Sequence, residues 1–150
     1  EMKEMAREQL AENEAVQPQI EEEIKELHLE ERVILTGIRG DVPDFMSALD
    51  VLVFPSRFEG LPLTLIEAQA AGLPSLISDT ITGDVIVTEG IVQQLSIELD
   101  PKEWAERAVF LAKEQSDRTC PYESIAAAGY DIRQLVQWYQ EFIQKNLRRE

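Results

Sequence analysis

The alternation of apolar and polar positions predicts helices and short strands in turn along the chain. Residues 1–29 carry helix formers with apolar residues at helical spacing. Pro18 interrupts them, so we expect either two helical segments or one kinked helix, with the break at Gln17–Pro18. The β-branched run over Arg32–Gly37 then predicts a first short strand.

The remaining elements continue this alternation. Pro43 and the acidic residues around it predict a helix over Asp44–Leu49, which leads into a buried strand over Val51–Phe54. The later elements are expected in this order: a helix opening at Gly60–Pro62 and running to Gly72, a buried strand over Leu73–Ser78, a loop with a short helical turn over Asp79–Glu89, a strand over Ile91–Leu95, and helices over Asp100–Lys113, Tyr122–Gly129 and Ile132–Leu147.

This order predicts an α/β fold, a Rossmann-like parallel sheet with helices on both faces. In such folds ligands bind beyond the carboxyl ends of the strands, and the turn from Phe54 to Pro62 is such an end. The aromatic residues Trp138, Tyr139 and Phe142 of the last helix are interpreted as core contacts.

Composition limits the classes of partner. With 150 residues and 44% hydrophobic content, residues 1–150 are expected to form one domain. A net charge of −15 argues against nucleic acid or an anionic membrane surface as a partner. No apolar run approaches the roughly 20 residues that a membrane span needs, so we expect a soluble chain. Because it begins at Glu1 within an apparent helix, we expect a fragment of a longer protein.

Candidate chemistry lies in the central stretch from Val51 to Gly72. The first turn of its helix has free N–H groups and the positive end of a helix dipole, which together can bind an anion. Pro62 has no N–H, so the donors are expected from four neighbouring residues, namely Gly60, Leu61, Leu63 and Thr64.

Two acidic residues, Glu59 and Glu67, flank these donors. The helix is apolar nearly all round, so we expect Glu67 to be buried and therefore hydrogen-bonded. It lies about 7 to 8 Å along the axis from Pro62, at roughly 1.5 Å per residue. A phosphate and the hydroxyls of its ribose have a similar separation, so a sugar nucleotide fits. The alternative is that both are structural acids near a helix start.

The string PSRFEGLPLTLIEAQAAGLP resembles the signature of the retaining glycosyltransferases of family 4, which have the two-domain GT-B fold. The resemblance is strong over 33–77. The residues that match the family's Glu-x7-Glu motif are Pro55, Ser56, Glu59, Gly60, Pro62, Glu67, Ala68, Ala70, Gly72 and Pro74. The chain is most similar to the bacterial capsular and exopolysaccharide glycosyltransferases of that family.

The resemblance implies roles for the site residues. Glu59 would stabilise positive charge at the anomeric carbon of the transferred sugar, and Glu67 would bind the ribose hydroxyls. Ser56 and the main chain from Gly60 to Thr64 would bind the rest of the donor sugar and its phosphates. Gly37, Ile38 and Arg39 would contact the base. The donor is a nucleotide-diphosphate sugar, with neither a metal nor a further cofactor expected.

The chain also departs from the family's pattern. The Arg and Lys that clamp the diphosphate, two strands and the acceptor-binding N-terminal domain are expected to lie outside it, so the isolated chain should be inactive. Ile81–Asp84 stands where the family usually has Gly-Gly before a Glu, so the sequence does not predict which sugar is transferred. The sheet is expected to close by pairing Arg32–Gly37 with Val51–Phe54, or by association of two copies through exposed strand edges.

The sequence therefore predicts the donor-binding half, the C-terminal half of the GT-B fold, of a hexosyltransferase of polysaccharide biosynthesis. The expected location is the cytoplasm, or the membrane periphery for the full-length protein. Two alternatives stay open: a non-catalytic binding or assembly module of the same fold, and, less favoured, a nucleotide-sugar epimerase fragment.

Overall fold

The computed structural model describes residues 16–114 and 118–147, and the chain divides into two compact units, residues 1–40 and 41–150. In the first unit, residues 16–26 form helix α1, which continues through Gln17–Pro18 without ending there; a kink at Pro18 stays a prediction. The predicted segment before it falls on residues outside the described ones. His28, in the turn just after the helix, has a positive φ of 54°, and Leu29 N–H donates to Ile24 O at 2.9 Å. This is a common way to close a helix C-terminus.

The predicted strand over Arg32–Gly37 is wrong. Residues 33–37 form neither helix nor strand, and Ile34 is 81% exposed. A β-branched run becomes a strand only where a neighbouring strand pairs with its main chain. The described sheet lies wholly in the second unit, so the direct pairing of this run with Val51–Phe54 is also wrong.

The second unit confirms the predicted order of elements, with ends that shift by a few residues because main-chain pairing decides them. Its elements are α2 Val42–Ala48, β1 Leu52–Phe54, α3 Leu63–Ala70, β2 Ser75–Ser78, a 3-10 turn Gly83–Val85, β3 Val92–Leu95, α4 Pro101–Glu114, α5 Tyr122–Ala127 and α6 Ile132–Leu147.

Three parallel strands form the sheet in the order β1-β2-β3. All four residues of the central strand β2 are buried. Ile77 packs with Leu65 of α3, whereas its neighbour Leu76 packs with Trp104 and Leu111 of α4. Because successive strand residues point to opposite faces, helices cover both faces of the sheet, as predicted.

Helix α2 packs beside α3 through a smaller apolar cluster of Met46, Ala68 and Leu73. The guanidinium of Arg118 donates to the carbonyls of Met46, at 3.2 Å, and Ser47, at 3.4 Å. These carbonyls lie in the last turn of α2, where main-chain acceptors lack helical partners. The segment after α4 therefore holds the end of α2.

Strand β1 is less buried than predicted. Val53 is 42% exposed, because β1 pairs only with β2 in the described sheet and its other edge carries no strand. A strand is buried on both faces only where other elements cover it.

The assignment of the α6 aromatic residues to the core is wrong. No residue of α6 is buried, and Trp138, Tyr139 and Phe142 are each at least 51% exposed. Trp138 stacks on Phe142 with ring centroids 5.3 Å apart. The helix has the amphipathic pattern of a packed element, yet among the described residues no element covers its apolar side.

A polar cluster holds the start of α6. Asp131, which is buried, accepts a hydrogen bond from the Arg133 N–H at 2.9 Å and another from the Tyr122 hydroxyl of α5. The Arg133 side chain also contacts the Asp131 carboxylate at 3.2 Å. The Tyr122 hydrogen bond, followed by those from Arg133, lowers the pKa of Asp131 from 3.8 to about 2.

Gly72→Ala should destabilise the fold. Gly72 has a φ of +63°, and an added Cβ would lie 2.6 Å from Thr119 O. The left-handed conformation alone costs roughly 1–2 kcal/mol for a residue with a Cβ, and the clash adds to it. Chemical denaturation should show this loss. Gly40→Ala is the control, because a Cβ there meets no heavy atom within 4 Å. Equal stability of the two variants would contradict the geometry.

Asp131→Asn should make stability less dependent on pH at the acid end. A lowered folded-state pKa stabilises the fold above the unfolded value of 3.8, and this contribution is lost as pH falls toward about 2. The stability difference between wild type and Asp131→Asn should therefore shrink across that window in urea titrations. In Tyr122→Phe, the loss of stability on acidification should be smaller than in the wild type but still present, because the hydrogen bonds from Arg133 to Asp131 remain. A difference that is constant with pH would refute this role.

Candidate functional site

The carboxyl ends of the three parallel strands share one edge of the sheet, and the candidate site is built there. The segment after β1 carries Ser56 and Glu59, and the segment after β2 carries Thr80 and Asp84. Polar side chains from two neighbouring strand ends are thus brought to one side of the unit.

The turn after β1 fixes the Glu59 carboxylate. The Ser56 hydroxyl lies 2.9 Å from Glu59 Oε1 and 3.1 Å from Phe58 O. Glu59 is half-buried, so one side of its carboxylate stays accessible. The predicted residues Ser56 and Glu59 therefore act as one unit, in which the hydroxyl orients the acid.

A hydroxyl at the end of β2 and another in the loop after it hold this turn in place. The carbonyl of Ser56 accepts hydrogen bonds from the Ser78 hydroxyl and from Thr80 Oγ1, the latter at 2.8 Å. Thr80 Oγ1 also lies 2.9 Å from Ser78 Oγ. The turn that carries Glu59 is consequently tied to the start of the next loop, at a residue separation of more than twenty.

The start of α3 offers unpaired main-chain donors. The helix begins at Leu63, and Pro62 precedes it without a side-chain cap. Within the described residues, no acceptor pairs with the N–H groups of the four predicted donors, which are exposed: Gly60, Leu61, Leu63 and Thr64. Such a helix start binds an anion through N–H groups and the dipole together.

The expected burial of Glu67 is wrong. Glu67 is exposed, and it lines a cavity of about 320 Å³ between α2 and α3. The cavity is lined by Pro43, Met46, Ser47, Glu67, Ala70 and Ala71. The reason is that α3 buries the face that carries Leu65, Ala68 and Gln69, toward the sheet and α2. Glu67 points away from that face, and its carboxylate remains in water.

Gln69 is the site residue that sequence reasoning missed. It is fully buried and bonds the loop after β2. The signal was its spacing, since Gln69 follows Leu65 by four residues and so shares the sheet-facing side of α3. The interpretation of the helix as apolar nearly all round overlooked this buried polar residue.

Gly37, Ile38 and Arg39 belong to the first unit, whereas the other predicted site residues belong to the second. Gly37 has a positive φ of 61°, and the Ile38 side chain is 89% exposed. Contact of this segment with a nucleotide base stays a prediction.

Across residues 16–114 and 118–147, no group of three or more His, Cys, Asp or Glu side chains could hold a metal ion. Among these residues there is also no helix with the length and apolar content to cross a membrane.

The family model for glycosyl transferases group 1 matches residues 11–114. The chain belongs to this family. Its α/β fold, with a parallel sheet flanked by helices, agrees with the C-terminal half of the GT-B fold.

Bacterial proteins named as glycosyltransferases match over part of their length. The chain is 40% identical over 119 residues to a Bacillus subtilis (strain 168) protein named "Putative glycosyltransferase EpsF", covering 79% of this chain and 31% of that protein. It is 39% identical over 75 residues to the UDP-Gal:alpha-D-GlcNAc-diphosphoundecaprenol alpha-1,3-galactosyltransferase of Escherichia coli. This match covers 50% of this chain and 19% of that protein.

A third relative is the lipopolysaccharide core biosynthesis mannosyltransferase LpsB of Rhizobium meliloti (strain 1021), which is 34% identical over 76 residues. This match covers 51% of this chain and 22% of that protein. The chain therefore spans less than a third of the length of each of these relatives. No solved structure matches the chain significantly. The comparisons establish the glycosyltransferase family.

Ser78→Ala and Thr80→Val should be non-additive. Each variant alone leaves one donor on the Ser56 carbonyl, whereas the double variant leaves none. An unpaired, partly buried carbonyl costs roughly 1–3 kcal/mol. In a double-mutant cycle, unfolding free energies should show a coupling of roughly 0.5 kcal/mol or more. Strict additivity would mean that the two hydroxyls do not share this acceptor.

Proposed function

We propose that this chain is the nucleotide-sugar donor-binding part of a retaining glycosyltransferase of polysaccharide biosynthesis. The observation that carries the proposal is the arrangement after β1, where an oriented acid is followed by unpaired helix N–H groups. Family membership supports glycosyl transfer as the reaction class. The relatives named for galactosyl and mannosyl transfer support a hexose as the transferred group.

Glu59 is proposed to lie at the reacting sugar. Its carboxylate is held by the Ser56 hydroxyl at 2.9 Å and is only half-buried. Positive charge develops at the anomeric carbon as the diphosphate leaves, and a fixed carboxylate stabilises that charge without having to reorient. Retention of configuration follows if the acceptor attacks from the face that the diphosphate leaves.

The diphosphate is proposed to bind the start of α3. The donors are the N–H groups of Gly60, Leu61, Leu63 and Thr64, with the helix dipole behind them. The chain has a net charge of −15, so a dianionic leaving group needs this local compensation. The Arg and Lys that clamp the diphosphate in this family, which are expected outside this chain, would add to it.

Glu67 is proposed to bind the ribose hydroxyls, and Gly37–Arg39 the base. The exposed carboxylate beside the α2–α3 cavity can accept hydrogen bonds from two adjacent hydroxyls, which a buried, satisfied carboxylate could not. The exposure of Glu67 thus strengthens its assignment as a ligand-binding residue.

Acceptor recognition is assigned to an N-terminal domain outside this chain, so the isolated chain should not transfer sugar. The full-length protein is proposed to act in the cytoplasm or at the membrane periphery. Association through the open edge of β1 would complete the sheet.

A second function is favoured by one observation. The exposed aromatic residues of α6 could contact another protein surface, as in a binding or assembly module of the same fold that has lost catalysis. Such a module would not bind a nucleotide sugar.

Variants of the two acids should separate their roles in the full-length protein. Glu67→Gln should weaken binding of UDP or GDP roughly tenfold or more, since a hydrogen bond to a charged group contributes about 1.5–3 kcal/mol. Glu59→Gln should lower kcat with little change in that affinity, because it acts at the transition state. Calorimetry with UDP, GDP, UDP-galactose and GDP-mannose measures affinity, and sugar release measures turnover.

Glu123→Gln, an exposed acid in the first turn of α5, is the matched control and should leave both quantities unchanged. If the full-length wild type binds no nucleotide or nucleotide sugar saturably, the assembly function replaces the enzymatic one.

A further inference from the structure

Gln69 joins α3 to the loop after β2 through its side-chain amide. Nε2 donates to Leu65 O at 3.0 Å and to Val85 O at 2.8 Å. Oε1 accepts from the N–H groups of Val87, at 2.9 Å, and Thr88, at 3.0 Å. Two donor hydrogens and two acceptor positions are all that a carboxamide has, so the group is fully satisfied in a fully buried place.

The loop that Gln69 holds is fixed at other points too. Ile81 and Val85 are buried against Leu65 and Ile77, and Gln94 Nε2 donates to Ile81 O at 2.8 Å. At the start of the loop, Thr80 hydrogen-bonds the Ser56 carbonyl. The loop is therefore bound to the sheet, to α3 and to the Glu59 turn.

Between these anchors lies an exposed tip, Thr82–Gly83–Asp84. Thr82 Oγ1 lies 3.1 Å from Asp84 Oδ2 and accepts from the Asp84 N–H at 3.4 Å. The tip thus presents a hydroxyl and a carboxylate, two groups that can hydrogen-bond sugar hydroxyls, on a support that cannot move freely.

We propose that Gln69 is a positioning residue of the donor site, which sets where the Thr82–Asp84 tip lies relative to Glu59 and thereby controls binding of the sugar. The inference rests on the proposed function and deepens it. The sugar is the affected part of the donor because the loop is anchored to Ser56, whose hydroxyl orients Glu59. Glu67, proposed for the ribose, faces the α2–α3 cavity on another side of α3.

The carboxamide is required because no apolar side chain can replace its bonds. With methionine at this position, the N–H groups of Val87 and Thr88 and the carbonyl of Val85 would lose their partners, and the loop would have to move to reach water. With glutamate, burial favours the protonated carboxyl group, which still accepts from the two N–H groups but can donate to only one of the two carbonyls, Leu65 O or Val85 O. Gln69→Met should therefore displace the loop more than Gln69→Glu does.

Thr88→Val is the matched control in the same loop. Thr88 Oγ1 is buried and has no hydrogen-bond partner among the described residues, while its main-chain N–H donates to Gln69. Replacing the hydroxyl by a methyl group leaves the Gln69 bonds intact. This variant should bind both ligands as the wild type does.

The test uses calorimetry on the full-length protein to compare its affinity for a sugar nucleotide with its affinity for the matching nucleoside diphosphate. The two pairs are UDP-galactose with UDP and GDP-mannose with GDP. In the pair that the wild type binds, Gln69→Met should weaken binding of the sugar nucleotide roughly tenfold, the size of effect expected from the loss of one or two hydrogen bonds to the sugar. Binding of the nucleoside diphosphate should change by less than about twofold, because none of its proposed contacts, at the start of α3 and on Glu67, comes from the Thr82–Asp84 tip. Gln69→Glu should fall between the wild type and Gln69→Met.

Amide hydrogen exchange at Val87 and Thr88 supplies the second measurement, and it should be faster in Gln69→Met. Faster exchange with an unchanged ratio of the two affinities would make Gln69 merely structural and overturn the inference. Unchanged exchange would overturn it as well. If Gln69→Met does not fold, the two affinities and the amide exchange are measured in Gln69→Glu instead, and the same outcomes support or overturn the inference. If the wild type binds neither ligand of either pair, the proposed function fails, and this inference fails with it.

Discussion

The structure of the second unit depends on the burial of one central strand on both of its faces. Alternate residues of β2 face opposite sides, so Leu76 packs against α4 while Ile77 packs against α3. Because β2 pairs with β1 and β3, its main-chain groups are satisfied where water is excluded. A helix on each face and a strand on each side follow from this single constraint.

The same constraint creates the candidate site. Parallel strands end at one edge, so the turn with Glu59 and the loop with Thr82–Asp84 emerge beside each other. Hydrogen bonds then fix the positions of these two segments. Ser78 and Thr80 donate to the Ser56 carbonyl, and Gln69 bonds the far end of the loop. The site is held by polar contacts of main-chain groups, which tolerate little displacement.

Three of the expectations that failed share one cause. Apolar sequence surroundings predict a strand at Ile34 and burial of Val53 and Trp138, yet all three side chains are exposed. Apolar character favours burial but does not supply a neighbouring element, and pairing or covering depends on which parts of the chain meet. The order of the elements was predictable because periodicity and turn residues are local signals.

Sequence by itself determined the α/β order, the position of the βα junction and the motif around Glu59 and Glu67. These rest on short-range spacing, which the printed sequence contains. Tertiary structure alone decided which residues of α3 face the sheet, placing Gln69 inside and Glu67 outside. Helical spacing relates the residues of one helix to each other, but only packing against the sheet selects the face that is buried.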